Sequence, residues 1–398
     1  MIDEQLSKTA TFEDGVLLKA VHPVGSTLLT YVGGKWKLKK IPFVGTIISD
    51  ASMIREVYMD KKRFSKDGEG ASTSFWNPII GEYGLLNMEG EGHLKLKRTV
   101  SSMFAKERVE LIYGAVSAPI LDETAAALKA GENIDMVSIA ERISYLSMWH
   151  IVGLSAEKLH NIDFNLAVKN LRSATEGLNP AKKKLSDKQI ATARGKLVFL
   201  EELAREAYNN DDRESIPLLL KKEGYSEEVA ISLTKSLFIA GTETVISFLP
   251  RMAALFIKTR YIDYLSEHPE HVTKGVEEAL RVTVPTPVAV RSVVEDTSFH
   301  GAKLKAGERL VLSTIAASKR FGDFNPFNDI DKEIRGLWFG AGVHMCIGVG
   351  IALVQAETMG KFLAAVNADK KLEILSQASD DKGHTGSYKG LIISCTRS

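Results

Sequence analysis

Apolar side chains recur along most of this chain at helical spacing, and strict alternation is confined to short stretches. Between residues 50 and 62, Met53, Ile54, Val57 and Tyr58 share one helical face; residues 139–151 and 190–207 repeat the pattern, the latter through Leu197, Leu200 and Leu203. The longest signal, residues 226–249, opens on Ser226 at a capping position, continues with Glu227 and Glu228, and is apolar on most sides. It is expected in the core, ended or kinked by Pro250. Residues 271–282 and 349–363 also read as helices. Alternation at Leu28, Thr30 and Val32, then Trp36 and Leu38, flanks Gly33-Gly34 and predicts a hairpin over residues 28–44. Pro285 and Pro287 end a helix and start an extended segment toward Arg291; residues 310–313 continue as strand, and residues 386–395 read as a terminal hairpin with Ser387, Tyr388 and Leu391 at its tip. Residues 66–77, rich in Gly and Ser, and residues 178–185, broken at Pro180, read as loops. The pattern predicts a mainly α protein with minor β structure.

Composition narrows the class. A chain of 398 residues, 44% hydrophobic and 25% charged, can bury a large globular core. Its 51 basic and 50 acidic side chains leave a net charge of +1, so no overall field draws nucleic acid or an anionic membrane. Residues 1–15 carry neither a basic nor an apolar leader pattern, and no run of about twenty apolar residues is found, so the expectation is a cytoplasmic chain without a membrane span. A disulfide between the two cysteines, Cys346 and Cys395, would consume a thiol that the chain presents elsewhere for chemistry, so a reducing compartment is expected. Cys395 reads as a buried strand residue.

That thiol lies in residues 339–348, where Gly340, Gly342 and Gly348 surround Cys346 just ahead of an apolar helix. A free thiol is mostly protonated at neutral pH, and a helix N-terminus or a metal stabilises its thiolate. No second cysteine or paired histidines stand at zinc spacing, whereas one axial thiolate suits haem iron.

Phe339, Gly342, His344, Cys346 and Gly348 complete the pattern Phe-x-x-Gly-x-His-x-Cys-x-Gly, which resembles the haem-thiolate monooxygenases, the cytochromes P450, of the soluble bacterial type. The resemblance implies a helical haem domain with small β-sheets spanning residues 1–398, haem b as cofactor, and Cys346 as the iron ligand. Phe339 would pack beside the sulfur, Gly340 and Gly348 would line the cysteine turn, and His344 would reach a haem propionate. The run from Met88 to Phe104 resembles the family helix whose histidine and basic residue hold propionates. His93 and Lys97 share a helix face there; the family commonly has Arg where Lys97 stands, and Arg98 is the alternative. Arg291 matches another propionate contact, while Gly336 stands where a further histidine is common.

Within the longest helix, Ala240, Gly241, Glu243 and Thr244 resemble the family's oxygen-binding groove. Gly241 costs about 1 kcal/mol relative to Ala in a helix interior, and Glu243 and Thr244 place polar groups among apolar ones. By resemblance Thr244 orients oxygen and its water, Glu243 relays protons, and Gly241 leaves room for the ligand. Glu278 and Arg281 resemble the family's bracing Glu-x-x-Arg pair. Phe75, Trp76, Phe238, Thr286, Val288, Ala289, Tyr388 and Leu391 are candidate pocket residues, Phe75 and Trp76 equally readable as loop anchors. Residues 178–185 would belong to a lid, and Lys95, Arg98 and Lys106 to a docking surface.

The activity implied is insertion of one oxygen atom from O2 into a small hydrophobic substrate, by hydroxylation or oxidative dealkylation. A ferredoxin and its reductase would supply electrons to a monomer. Alternatives are a peroxygenase, which uses hydrogen peroxide, and a haem-binding protein that does not turn over.

Overall fold

The computed structural model describes residues 10–68, 70–154, 162–176, 185–210, 214–383 and 385–396; the expected lid loop at residues 178–185 lies almost wholly outside them. Fifteen described helices run in order: α1 (Ala10–Val21), α2 (Pro23–Lys35), α3 (Ala51–Met59), α4 (Ser72–Ile80), α5 (Gly90–Val100), α6 (Lys106–Lys129), α7 (Met136–Val152), α8 (Phe164–Thr175), α9 (Asp187–Asn209), α10 (Ile216–Lys222), α11 (Glu227–Lys258), α12 (Tyr261–Glu267), α13 (Val272–Thr283), α14 (Thr314–Lys319) and α15 (Val349–Asp369). The strands are β1 (Leu38–Ile41), β2 (Gly45–Ile48), β3 (Phe64–Ser65), β4 (Ile134–Asp135), β5 (Val288–Val293), β6 (Thr297–Phe299), β7 (Ala302–Leu304), β8 (Arg309–Ser313), β9 (Leu372–Ser379) and β10 (Tyr388–Cys395). The mainly α expectation holds.

The sheets are small. One has the order β1-β2-β8-β5-β3, with β2 and β8 parallel and the other pairs antiparallel; another joins β4-β10-β9, and β6 pairs β7. Antiparallel pairing of β5 with β8 sets Arg291 opposite Leu310.

α11 is the central helix. It is buried continuously from Ser232 to Ile239 and from Val245 to Ile257, and packs against α7, α9, α10 and α13. Ser226 has the extended backbone of a cap but makes no side-chain cap bond. Pro250 lies inside the helix instead of ending it: burial on all sides outweighs the lost backbone bond. By length and composition alone α6, α11 and α15 could each cross a membrane, which corrects the expectation that no segment could; in α11, 72% of the apolar window is buried within the protein.

Three further expectations change. Residues 28–35 belong to α2, and the hairpin is β1–β2, turning at residues 42–44. Gly33 sits under α14, where an added Cβ would lie 2.4 Å from Ala316 Cβ, so packing, not a turn, uses this glycine. Residues 72–80 are helical, carrying Phe75 and Trp76 on α4. Leu391 lies in mid-strand opposite Gln377, buried in the core, since β9 ends at Ser379 and β10 begins at Tyr388. Cys395 is a buried strand residue, as expected.

Candidate haem-thiolate site

The cysteine loop is built from its glycines. Gly340 and Gly342 adopt φ of 76° and 65°, and a Cβ on Gly342 would also meet Met59 Sδ at 3.1 Å and the Tyr58 carbonyl at 3.2 Å. The loop closes when Cys346 N–H donates to Phe339 O at 2.9 Å. Gly348 N–H then donates to Cys346 Sγ at 3.3 Å, immediately before α15, whose positive end also favours a thiolate. Burial pushes the Cys346 thiol up, while Gly348 N–H, Lys97 and Lys66 pull the other way. Surrounded by protein, Cys346 nevertheless keeps exposed surface. So does Ala240 on α11, although Ile239 and Thr242 beside it are buried, so an internal opening reaches this turn of the helix. Ile347 and Ile351 share an apolar cluster with Leu237, Phe238 and Ile239, which brings the start of α15 toward that turn.

A cationic cradle flanks the loop. Lys97 Nζ donates to Val343 O at 3.0 Å and also to Met345 O, whereas Arg98 beside it on α5 is exposed. The rings of His93 and His344 lie 4.5 Å apart. His344 Nε2 pairs with Glu89 Oε2 at 2.8 Å, and Glu89 Oε1 accepts the Lys66 backbone N–H. Lys66 Nζ donates to Leu86 O at 3.1 Å, and Arg291 stacks over Tyr58 at 5.1 Å while donating to Val290 O. Burial, then the charges of Arg291 and Lys97, brings Lys66 down to about 7. Burial opposes ionisation of Glu89, but His344 and the Lys66 N–H overcome it and bring Glu89 down to about 2.

The donor set fits a group that carries anionic carboxylates. Lys66 and Arg291 face Glu89, Lys97 adds a third cation beside Lys66, and Nδ1 of both His93 and His344 is buried without a hydrogen-bond partner; among the described residues Glu89 is the one carboxylate acting on these cations. Haem, with two propionates, meets that demand. Lys66 and Glu89 were not found from sequence; Lys66 sits in the Gly/Ser-rich stretch, and the only signal for Glu89 is its place just ahead of α5.

On α11, Thr244 Oγ1 donates to Ala240 O at 2.8 Å. A Cβ on Gly241 would lie 2.5 Å from Met148 Sδ, so this glycine admits α7 as a close neighbour and the room expected for a ligand is filled by Met148. Glu243 Oε1 is buried without a partner, and burial, partly offset by Arg172, pushes its carboxyl up to about 7. Arg172, Glu141 and Asp380, which surround it electrostatically, carry no sequence signal.

The pocket candidates separate. Thr286 is exposed, and Val288, Ala289 and Trp76 are half-buried, so all four retain surface that a ligand can touch. Phe238 is fully buried, with its ring 5.7 Å from Tyr145, and Phe75, Tyr388 and Leu391 are likewise buried in apolar clusters; their bulk fills core. The Glu278–Arg281 pair is bidentate at 2.7 and 2.6 Å; Arg281 also donates to Ser318 O and Asp323 O, which braces α13 against residues 318–323.

No family model matches the chain. It is 23% identical over 363 residues to cytochrome P450 CYP107DY1 of Priestia megaterium, covering 87% of this chain and 86% of that protein. It is 26% identical over 324 residues to a vitamin D(3) 25-hydroxylase of Pseudonocardia autotrophica, covering 78% of each. Among solved structures, P450BioI in complex with a hexadec-9Z-enoic acid ligated acyl carrier protein superposes with a TM-score of 0.78 at 17% identity, over 96% of this chain and all of that one. Signature motif, fold and these similarities agree: the chain has the fold of the cytochromes P450 and is similar in sequence to bacterial members of that monooxygenase family.

Proposed function

We propose that this chain, as one haem domain over residues 1–398, holds haem b through Cys346 and inserts one oxygen atom from O2 into a small hydrophobic organic substrate by hydroxylation or oxidative dealkylation. The observation that carries the reading is the pairing of a thiol surrounded by protein yet open to the interior, backed by Gly348 N–H and the start of α15, with a cradle whose cations and unpaired imidazole nitrogens exceed its single carboxylate among the described residues. When bound, haem would supply the redox chemistry that activates oxygen.

The chain's own residues do the rest. His93, His344, Lys66, Lys97 and Arg291 would hold the carboxylates and fix the cofactor's orientation. Gly348 N–H and the α15 dipole steady the thiolate against the burial that opposes it. The Thr244 hydroxyl hydrogen is engaged by Ala240 O, which leaves its oxygen as an acceptor of fixed direction. Glu243, pushed up to about 7, can hold a proton or release one near neutral pH, as a relay toward Thr244 requires. Half-buried Val288 and Ala289 favour an apolar substrate; a relative named as a hydroxylase supports oxygen insertion. Electrons would come from a ferredoxin and its reductase, for which exposed Lys95, Arg98 and Lys106 offer a basic surface, to a monomer in the cytoplasm.

The deciding experiment is the absorption spectrum of the reduced protein with carbon monoxide, beside Cys346→Ser. A strongly red-shifted Soret band, absent in the variant, is expected; an ordinary histidine-type spectrum, or none, would overturn the assignment. Product formed with a ferredoxin pair and O2, and not with hydrogen peroxide alone, would exclude the peroxygenase alternative.

A further inference from the structure

Arg291 is a buried cation that the protein leaves largely unspent. It lies in β5, 5% exposed, opposite Leu310 of β8. Nη1 donates to the carbonyl of its own neighbour, Val290, at 2.8 Å, and the guanidinium carbon stands 5.1 Å from the centre of the Tyr58 ring. Burial opposes its charge, yet among the described residues no carboxylate forms an ion pair with it, and Glu89 reaches it only as a charge at a distance. Arg281 gives the contrast: its guanidinium takes a bidentate carboxylate and two carbonyls, all from the protein. A guanidinium carries five N–H groups, and Arg291 gives one hydrogen bond to the described residues.

Tyr58 is itself firmly held. It lies on α3, 8% exposed within the apolar core, and Thr314 of α14 engages its hydroxyl. Its carbonyl packs against the cysteine loop, 3.2 Å from where a Cβ on Gly342 would stand. One residue thus touches the loop that carries Cys346 through its backbone and Arg291 through its ring. The kind of contact matters. An aromatic face is electron-rich and attracts a guanidinium without accepting its N–H groups, whereas a carboxylate in the same place would take them.

We propose that Tyr58 is a positioning residue for cofactor retention: its ring fixes the Arg291 guanidinium in the cradle while leaving the remaining N–H groups to a carboxylate of the bound cofactor. The proposal rests on the reading of the cradle as a site for haem propionates. Leucine at position 58 would fill much of the same space and offer no π face, so Arg291 would lose its direction while keeping its charge. Phenylalanine would keep the face and lose only the hydroxyl that meets Thr314.

The test is the rate at which haem passes from the loaded full chain to an excess of an acceptor protein, followed by absorbance, beside the same measurement with haem dimethyl ester, whose esterified propionates carry no charge. Tyr58→Leu should speed the loss of haem about fivefold, the weight of one cation–π contact, and leave the loss of the ester unchanged. Tyr58→Phe should stay close to wild type. If Tyr58→Leu fails to fold, phenylalanines of increasing fluorination in place of Tyr58 keep the shape of the ring while draining its face of electron density. Haem loss should then quicken with each fluorine, and in an Arg291→Met background fluorination should change nothing. Equal acceleration for haem and ester, or rates indifferent to fluorination, would show that Tyr58 only fills space and would overturn its role. Wild-type protein that loses haem and ester equally fast would instead sink the reading of the cradle itself, whatever the variants at position 58 do.

Discussion

Lys97 Nζ donates to the carbonyl of Val343 at 3.0 Å, across 246 residues of sequence, and so ties the helix that carries His93 to the loop that carries Cys346. A second bond from the same ammonium, to Met345 O, makes this lysine the clasp of the cysteine loop as well as a member of its cationic cradle.

Lys97→Met should therefore loosen the loop. It leaves two carbonyls without their donor, the bond to Val343 O partly buried and that to Met345 O exposed, and loss of charged hydrogen bonds of this kind costs about 1 to 3 kcal/mol. A matching fall in urea stability, with faster haem loss to an acceptor protein, is expected. Arg98→Ala, on the exposed side of the same helix, should change neither. Equal effects of the two substitutions would show that the clasp is not what holds the loop.

Gly241→Ala should destabilise the protein although Ala is the better helix former. The gain in propensity is about 1 kcal/mol, but the new Cβ would stand 2.5 Å from Met148 Sδ and 3.0 Å from its Cγ. Overpacking of this kind costs about 1 to 3 kcal/mol. In a double-mutant cycle, Met148→Ala should relieve part of the loss, since the two positions are in contact. Additive effects would show that the glycine serves something other than the α7–α11 approach.

Residues whose roles are local were legible from the chain. Gly342 and Cys346 lie within one turn of each other, and His93 and Lys97 one helical turn apart, so spacing alone put them together. Arg172 is different: its partners Glu141 and Asp380 stand 31 and 208 residues away, and no pattern near it distinguishes it from a surface arginine. Residues 28–35 failed for a related reason. Their alternation is real, but Gly33 lies against Ala316 of α14, and that tertiary contact selects the helix over the strand. Pro250 misleads in the same way, since its neighbours are buried on all sides of α11.

Glu243 should make stability depend on pH around neutrality. Its folded carboxyl titrates at about 7 where the unfolded one titrates at 4.5, so between those values the unfolded chain is ionised and the folded one is not. Stability from this group is thus fully present below about pH 4.5 and is lost as pH rises toward 7. Glu243→Gln removes the loss, so the variant should gain on wild type between pH 5 and pH 8, by a few kcal/mol at most. Urea midpoints measured at both ends of that window check it; parallel curves would mean that Glu243 ionises in its usual range.

Breaking the Glu278–Arg281 pair should destabilise the fold. Both side chains are nearly inaccessible, 4% and 3% exposed, and the two bonds between them are reinforced by Asn325 N–H donating to Glu278 Oε1 at 2.8 Å and by Arg281 donating to Ser318 O and Asp323 O. Arg281→Met leaves a carboxylate buried without its cation and two carbonyls without donors, a loss of about 3 to 5 kcal/mol. Replacing both partners, Glu278→Leu with Arg281→Met, removes the stranded charge but still orphans the Asn325 N–H and the two carbonyls. The double variant should therefore lose less than the sum of the single ones while remaining below wild type. Urea unfolding of all four proteins measures this directly. A double variant as unstable as the sum would mean that α13 and the 318–325 segment are held by packing, with the ion pair contributing no coupling between them.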